Sequence, residues 1–213
     1  MNIPFQSKLA KFKNITNRNE AFDKLSPKDK RREIAYDALN LVITRQVMAS
    51  EDGDYWNSSL QIRTKPLHTP KELQCLLVDK LPTCQVCQRG LMMVSQIRLG
   101  NTLSPSGAAI QNGSNSNIKG FSIDSFGLME SLYEGWHHIV GNHPYEMNTQ
   151  EMMANICCNV INNGDFKITD TTDYLSEWGI KISKKKIILD SIKFFSDTKK
   201  KVATKAAPKK LKK

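Results

Sequence analysis

Helix-start signals punctuate this chain more firmly than any other feature, and they leave room for little besides helices. Ser26-Pro27-Lys28-Asp29 sets a hydroxyl cap, a proline at the first helical position and an early acid. Behind it Ile34, Ala38, Leu41 and Val42 recur at helical spacing, which predicts a helix to about Met48. Thr69-Pro70-Lys71-Glu72 and Asn148-Thr149-Gln150-Glu151 are two capping boxes. Leu73, Leu76 and Leu77 follow the first, and Met152, Met153, Ile156, Cys157, Val160 and Ile161 follow the second. That last helix is closed by Asn162-Asn163-Gly164, with Gly164 suited to a left-handed C-terminal position. Phe126, Met129, Leu132 and Tyr133 mark another helix over 123–136, and shorter ones are expected over 173–178 and 183–195. Strand signals are weak: alternation stops after Leu60-Gln61-Ile62-Arg63, and no Asn-Gly turn joins β-branched runs.

The chain therefore reads as mostly α. A flexible segment over 1–26 precedes a single compact multi-helix domain over 27–180, which carries a long polar loop over 102–122. A basic amphipathic helix over 181–198 and a disordered Lys-rich tail over 199–213 follow. The length of 213 residues and 39% apolar content suffice for one core of ordinary size.

Charge is unevenly spread. Residues 181–213 hold 13 lysines against two acids, Asp190 and Asp197, a net of +11. Residues 1–180 hold 18 basic and 19 acidic residues and are nearly neutral. The last 15 residues contain eight lysines and no acid, with too few apolar groups to offset ordering entropy. Lysine ammonium groups suit phosphates without reading bases. The candidate nucleic-acid-binding residues are thus Lys199, Lys200, Lys201, Lys205, Lys209, Lys210, Lys212 and Lys213.

Five cysteines at irregular spacing, two of them adjacent, do not form a disulfide framework and point to a reducing, cytoplasmic setting. No run approaches the roughly 18 apolar residues a membrane span requires, so no membrane partner is expected. In LPTCQVCQRGLMMVSQIRLGN, residues 81–101, Cys84, Cys87, Leu91, Val94 and Arg98 share one side of a helix starting near Thr83. Three readings of the cysteine pair stand side by side: buried core, zinc and redox. Core packing suits free cysteine. Zinc needs a second pair, from His137, His138, His143, Cys157 or Cys158. Redox chemistry expects a βαβ setting. Trp136-His137-His138 with His143 is the sole histidine cluster, and no acid or nucleophile stands at diagnostic spacing from it. Phosphate-loop, zincin, nucleophile-elbow and dinucleotide signatures are absent from the sequence. The expectation is a non-enzymatic protein with no cofactor and no metal site.

Three stretches resemble a family of small, uncharacterised helical proteins encoded by tailed bacteriophages and prophages. Ile34-Ala35-Tyr36-Asp37-Ala38-Leu39 matches an Ile-Ala-x-Asp-x-Leu helix. Cys84, Val86, Cys87, Gly90, Ser95, Ile97 and Arg98 match C-x-V-C-x-x-G and S-x-I-R, with Gln88 and Leu91 where alanine is usual. Asn162-Asn163-Gly164-Asp165-Phe166 matches N-N-G-x-F. The resemblance implies a phage origin and a helical fold, and carries no activity. The expected function is that of a phage accessory protein in the host cytoplasm, binding nucleic acid weakly through the tail. The alternatives are a module whose helical body binds a host or phage protein, and a module stabilised by zinc on Cys84 and Cys87.

Overall fold

A computed structural model describes residues 2–49, 70–79, 84–86, 88–100, 149–167 and 169–183. Among the described residues, six helices and two short strands run in the order α1 (Ile15–Asp23), α2 (Pro27–Ile43), β1 (Val47–Ala49), α3 (Pro70–Asp79), β2 (Cys84–Val86), α4 (Gln88–Arg98), α5 (Thr149–Asn163) and α6 (Tyr174–Glu177). The fold is mostly α, as expected.

Ser26 caps a helix as expected, Asn14 and Asp173 add caps of their own, and the expected caps Thr69 and Asn148 lie outside the described residues. Asn14 Oδ1 accepts the N–H groups of Thr16 at 2.8 Å and Asn17 at 3.2 Å to start α1. Ser26 Oγ accepts the Asp29 N–H at 3.1 Å to start α2, with Pro27 inside the first turn. Asp173 accepts the Ser176 N–H at 3.2 Å to start α6. Each such cap contributes about 1 kcal/mol. Gly164 and Gly179 take φ of +78° and +60° after α5 and α6, where a side chain would be strained.

α2 and α5 form the central pair. α5 is buried from Met152 to Ile161 on every side, the pattern of a helix enclosed by its neighbours. α2 presents Ile34, Ala35, Ala38, Leu39, Leu41 and Val42 to the core. α4 packs on α2 with Leu91, Met92 and Val94 fully buried, α3 covers α4, and α6 lies on α5.

α2 ends earlier than its apolar stripe suggests. Arg45 adopts φ of 55°, which turns the chain out of the helix. Val47 and Ala49 then face the core as β1, and β1 pairs in parallel with β2, Val47 opposite Cys84 and Ala49 opposite Val86. Cys84 therefore stands in a strand rather than on a helix with Leu91, Val94 and Arg98, because α4 begins at Gln88. A three-residue strand is too short for alternation to be told from helical periodicity.

The segment expected to be flexible over 1–26 is packed from Asn2 onward. The Asn2 N–H donates to the Trp178 carbonyl at 2.9 Å, Phe5 meets Tyr36 with ring centroids 5.5 Å apart, and Leu9 and Phe22 are buried. Polar residues dominate the stretch, yet Ile3, Phe5, Phe12, Ala21 and Leu25 also pack against the core. At the other end, residues 181–183 run without helix, and the rest of the expected basic helix, over 184–198, lies outside the described residues. So do the loop over 102–122 and the expected helix over 123–136.

Candidate functional site

The tail lysines at 199, 200, 201, 205, 209, 210, 212 and 213 lie outside the described residues, but the root of the Lys-rich region is described. Ser183, the residue before Lys184, is fixed on both sides of its backbone. Its N–H donates to the Ile43 carbonyl at 3.0 Å, and its carbonyl accepts the Arg45 guanidinium. The Lys-rich region thus departs from the C-terminal end of α2, and the left-handed turn at Arg45 aims the clamp.

Two of the residues that carry the phage resemblance, Asp37 and Arg98, meet one another in space. Arg98, at the end of α4, pairs with Asp37 of α2, its Nε 2.9 Å and its second nitrogen 3.3 Å from the carboxylate. The remaining guanidinium nitrogen donates to the Leu77 carbonyl at 2.5 Å, joining α3. The Arg98 carbonyl accepts from Arg18 and, at 3.1 Å, from Gln74, and Gln74 exchanges two bonds with Asn19 at 3.0 and 2.8 Å. Asn162 and Gly164 offer carbonyls to Arg32 at 2.8 Å and Arg31 at 2.6 Å. These motif residues are occupied in joining elements.

α5 carries a second polar construction that the motifs do not mark. Asn155, Asn159 and Asn163 stand four residues apart on one face and hold the chain between α5 and α6. Asn155 accepts the Tyr174 N–H at 2.9 Å and donates to the Thr172 carbonyl at 3.2 Å. Asn159 accepts the Lys167 N–H at 2.9 Å and donates to the Lys167 and Asp170 carbonyls at 3.0 and 3.2 Å. Asn163 reaches the Asp170 carboxylate at 2.5 Å, which also accepts the Tyr174 hydroxyl. Burial works to raise the Asp170 carboxyl, but hydrogen bonds from Tyr174, Asn163 and Thr172 outweigh it and hold it below the usual range. Burial, then the Asp170 charge, push the Tyr174 phenol up to about 12. A carboxylate kept ionised by the bonds it accepts, beside a phenol kept protonated, is a brace rather than an acid–base pair.

Gln150 makes a third. Its Oε1 accepts the Ala49 N–H at 2.6 Å, and its Nε2 donates to the Val42 and Val47 carbonyls at 3.0 and 2.8 Å. One buried side chain thereby ties α5 to both sides of the α2–β1 turn.

Of the cysteines, Cys157 and Cys158 are fully buried and free. Burial pushes the Cys157 thiol up to about 12, against a weak contact from Gln88 Nε2 at 3.8 Å, and it pushes Cys158 up as well. A thiol held protonated is the reverse of what a metal ligand or nucleophile requires. Among the described residues no group of three metal-ligating side chains gathers. Cys87, His137, His138 and His143 lie outside them. Among the described residues no helix is long and apolar enough to cross a membrane.

No protein-family model, curated protein or solved structure matches this chain.

Proposed function

We propose that this chain is a non-enzymatic accessory protein of a tailed phage, made in the host cytoplasm, which binds nucleic acid weakly and without sequence preference through its Lys-rich C-terminal tail. The observation that carries this reading is the segregation of charge: 13 lysines and two acids in the last 33 residues, behind a nearly neutral body. The clamp at Ser183 supports it, because it fixes the backbone immediately before Lys184. Each lysine that meets a phosphate releases a condensed counterion, so affinity falls with salt at a log–log slope of about −0.9 per phosphate neutralised. The phage assignment draws on the three motif stretches.

The test is retention on DNA and RNA across a salt series, for the full chain and for a chain ending at Asp197. Steep salt dependence in the full chain and its loss on truncation, with helical circular dichroism intact, is the expected result. Equal retention by both chains would sink the tail as the binding element.

A further inference from the structure

We infer that the end of the helical body where α2 begins and α5 ends is a second phosphate-binding face, which engages the same nucleic acid as the tail. This rests on the nucleic-acid reading above. Lys28, Lys30, Arg31 and Arg32 crowd the first turns of α2, and Lys24 precedes them. Cations there oppose the helix dipole and so cost stability rather than add it. Two of the four have an evident role in folding, since Arg31 and Arg32 reach the Gly164 and Asn162 carbonyls at the end of α5. Those acceptors are neutral, so both charges persist.

The same hydrogen bonds bring the C-terminal end of α5 beside Lys28, whose stem lies where a side chain on Gly164 would fall, and Lys167 follows Gly164 by three residues in the chain. Lys24, Lys28 and Lys167 are exposed, and Lys30 lies over the Phe22 ring at 5.5 Å. Nearby acids do little to cancel them. Asp29 is paired with Lys8 at 2.8 Å, and Glu33 is buried against Ser7 and the Lys8 N–H. Asp165 sits 3.9 Å from Arg31 with its side chain 50% exposed, a weak pairing, and Asp23 remains. Among the described residues, six cations therefore stand against Asp23, Glu33 and Asp165, with Asp29 matched by Lys8.

Apart from Pro27, the exposed residues here are polar or charged, Asp23, Lys24, Ser26, Lys28, Asn162 and Lys167, without an apolar stripe to enter a bilayer, so a nucleic-acid backbone fits better than a membrane. The clamp at Ser183 lies at the opposite end of α2. The 17 residues of that helix span about 25 Å, or about seven base pairs of duplex at roughly 3.4 Å each. A single nucleic acid can thus touch the face and the root of the tail together.

The experiment uses the full chain, a face variant (Lys24→Gln, Lys28→Gln, Lys167→Gln), a tail variant with its eight lysines changed to Gln, and the combination. Binding to a labelled duplex of about 30 base pairs, several times the span of α2, is followed by fluorescence anisotropy over a salt series, with circular dichroism as the control for folding. Arg31 and Arg32 are left in place because they hold α5. The face variant is expected to reduce the salt slope by about 2–3, one increment of about 0.9 for each phosphate it no longer neutralises, in both the parent and the tail-variant backgrounds. A face variant with the parent's slope overturns the inference and leaves the tail reading standing. A tail variant with the parent's slope, beside a weakened face variant, overturns the tail reading and leaves the face as the binding site. No salt-dependent binding by the parent overturns both. Binding to phosphatidylserine vesicles but not to duplex, abolished in the face variant, overturns the nucleic-acid assignment.

Discussion

Arg98 and Asp37, 61 residues apart in sequence, meet at 2.9 Å in a part-buried pair that joins α4 to α2. Their side chains are 15% and 18% exposed, so solvent screens the pair little. Removing one partner strands the other charge. Asp37→Asn is expected to destabilise by about 2–4 kcal/mol, seen as a lower urea midpoint at unchanged slope. A midpoint equal to the parent's would show that the pair contributes nothing net.

Gln150→Leu removes the side-chain partner of the Ala49 N–H and of the Val47 carbonyl at once, while the Val42 carbonyl keeps the Arg45 N–H. A buried backbone group left without a partner costs about 1–3 kcal/mol, so the loss should reach at least about 2 kcal/mol. Hydrogen exchange should localise it, with the Ala49 amide losing protection before those of mid-α2. Retained protection at Ala49 would rule this out.

Gly164→Ala and Gly179→Ala both force alanine into a left-handed backbone. Each should cost about 1–2 kcal/mol from that alone. Gly179 has open space around it, whereas a Cβ at Gly164 would come within 2.5 Å of the Lys28 stem. Thermal unfolding should therefore rank Gly164→Ala as the worse, and Lys28→Ala should narrow the gap.

Gly164 was legible in the sequence, as was the cap at Ser26, because helix termini are written in local residue chemistry. The strands at Val47–Ala49 and Cys84–Val86 were not, since three residues show no period. Nor were Gln150, Asn155 and Asn159, whose roles depend on backbone groups brought near by the fold. The mean polarity of residues 2–26 concealed Phe5, Leu9 and Phe22. Of the candidate binding elements, the tail was plain from composition. The cations of α2 were visible too, but their meeting with the end of α5 was not.

Two carboxyl groups should give opposite pH signatures. Burial raises Glu33 above its ordinary 4.5, with hydrogen bonds from Ser7 and Lys8 opposing. The folded state then holds a proton that the unfolded state has released, so its contribution is present at low pH and lost as pH rises through the window just above 4.5. Relative to Glu33→Gln, the parent should lose stability across that window. Asp170 is held below its ordinary 3.8, so its contribution is present above that value and lost as pH falls below it. Relative to Asp170→Asn, the parent's advantage should shrink under acid. Unfolding free energies at several pH values check both signs.

Cys157 and Cys158 should resist iodoacetamide at about pH 8 in the native chain and react in urea, as read by peptide mass mapping. Native labelling at either site would place it outside the core.

The reach of Gln150 also bears on how the protein is made. Its partners lie 101 to 108 residues earlier in the chain. As synthesis proceeds from the N-terminus, α1 and α2 can form early, but the turn into Val47–Ala49 cannot be completed until residue 150 has left the ribosome. A nascent chain stopped before that point has neither Gln150 nor the apolar face of α5, and it is the species on which a chaperone would act.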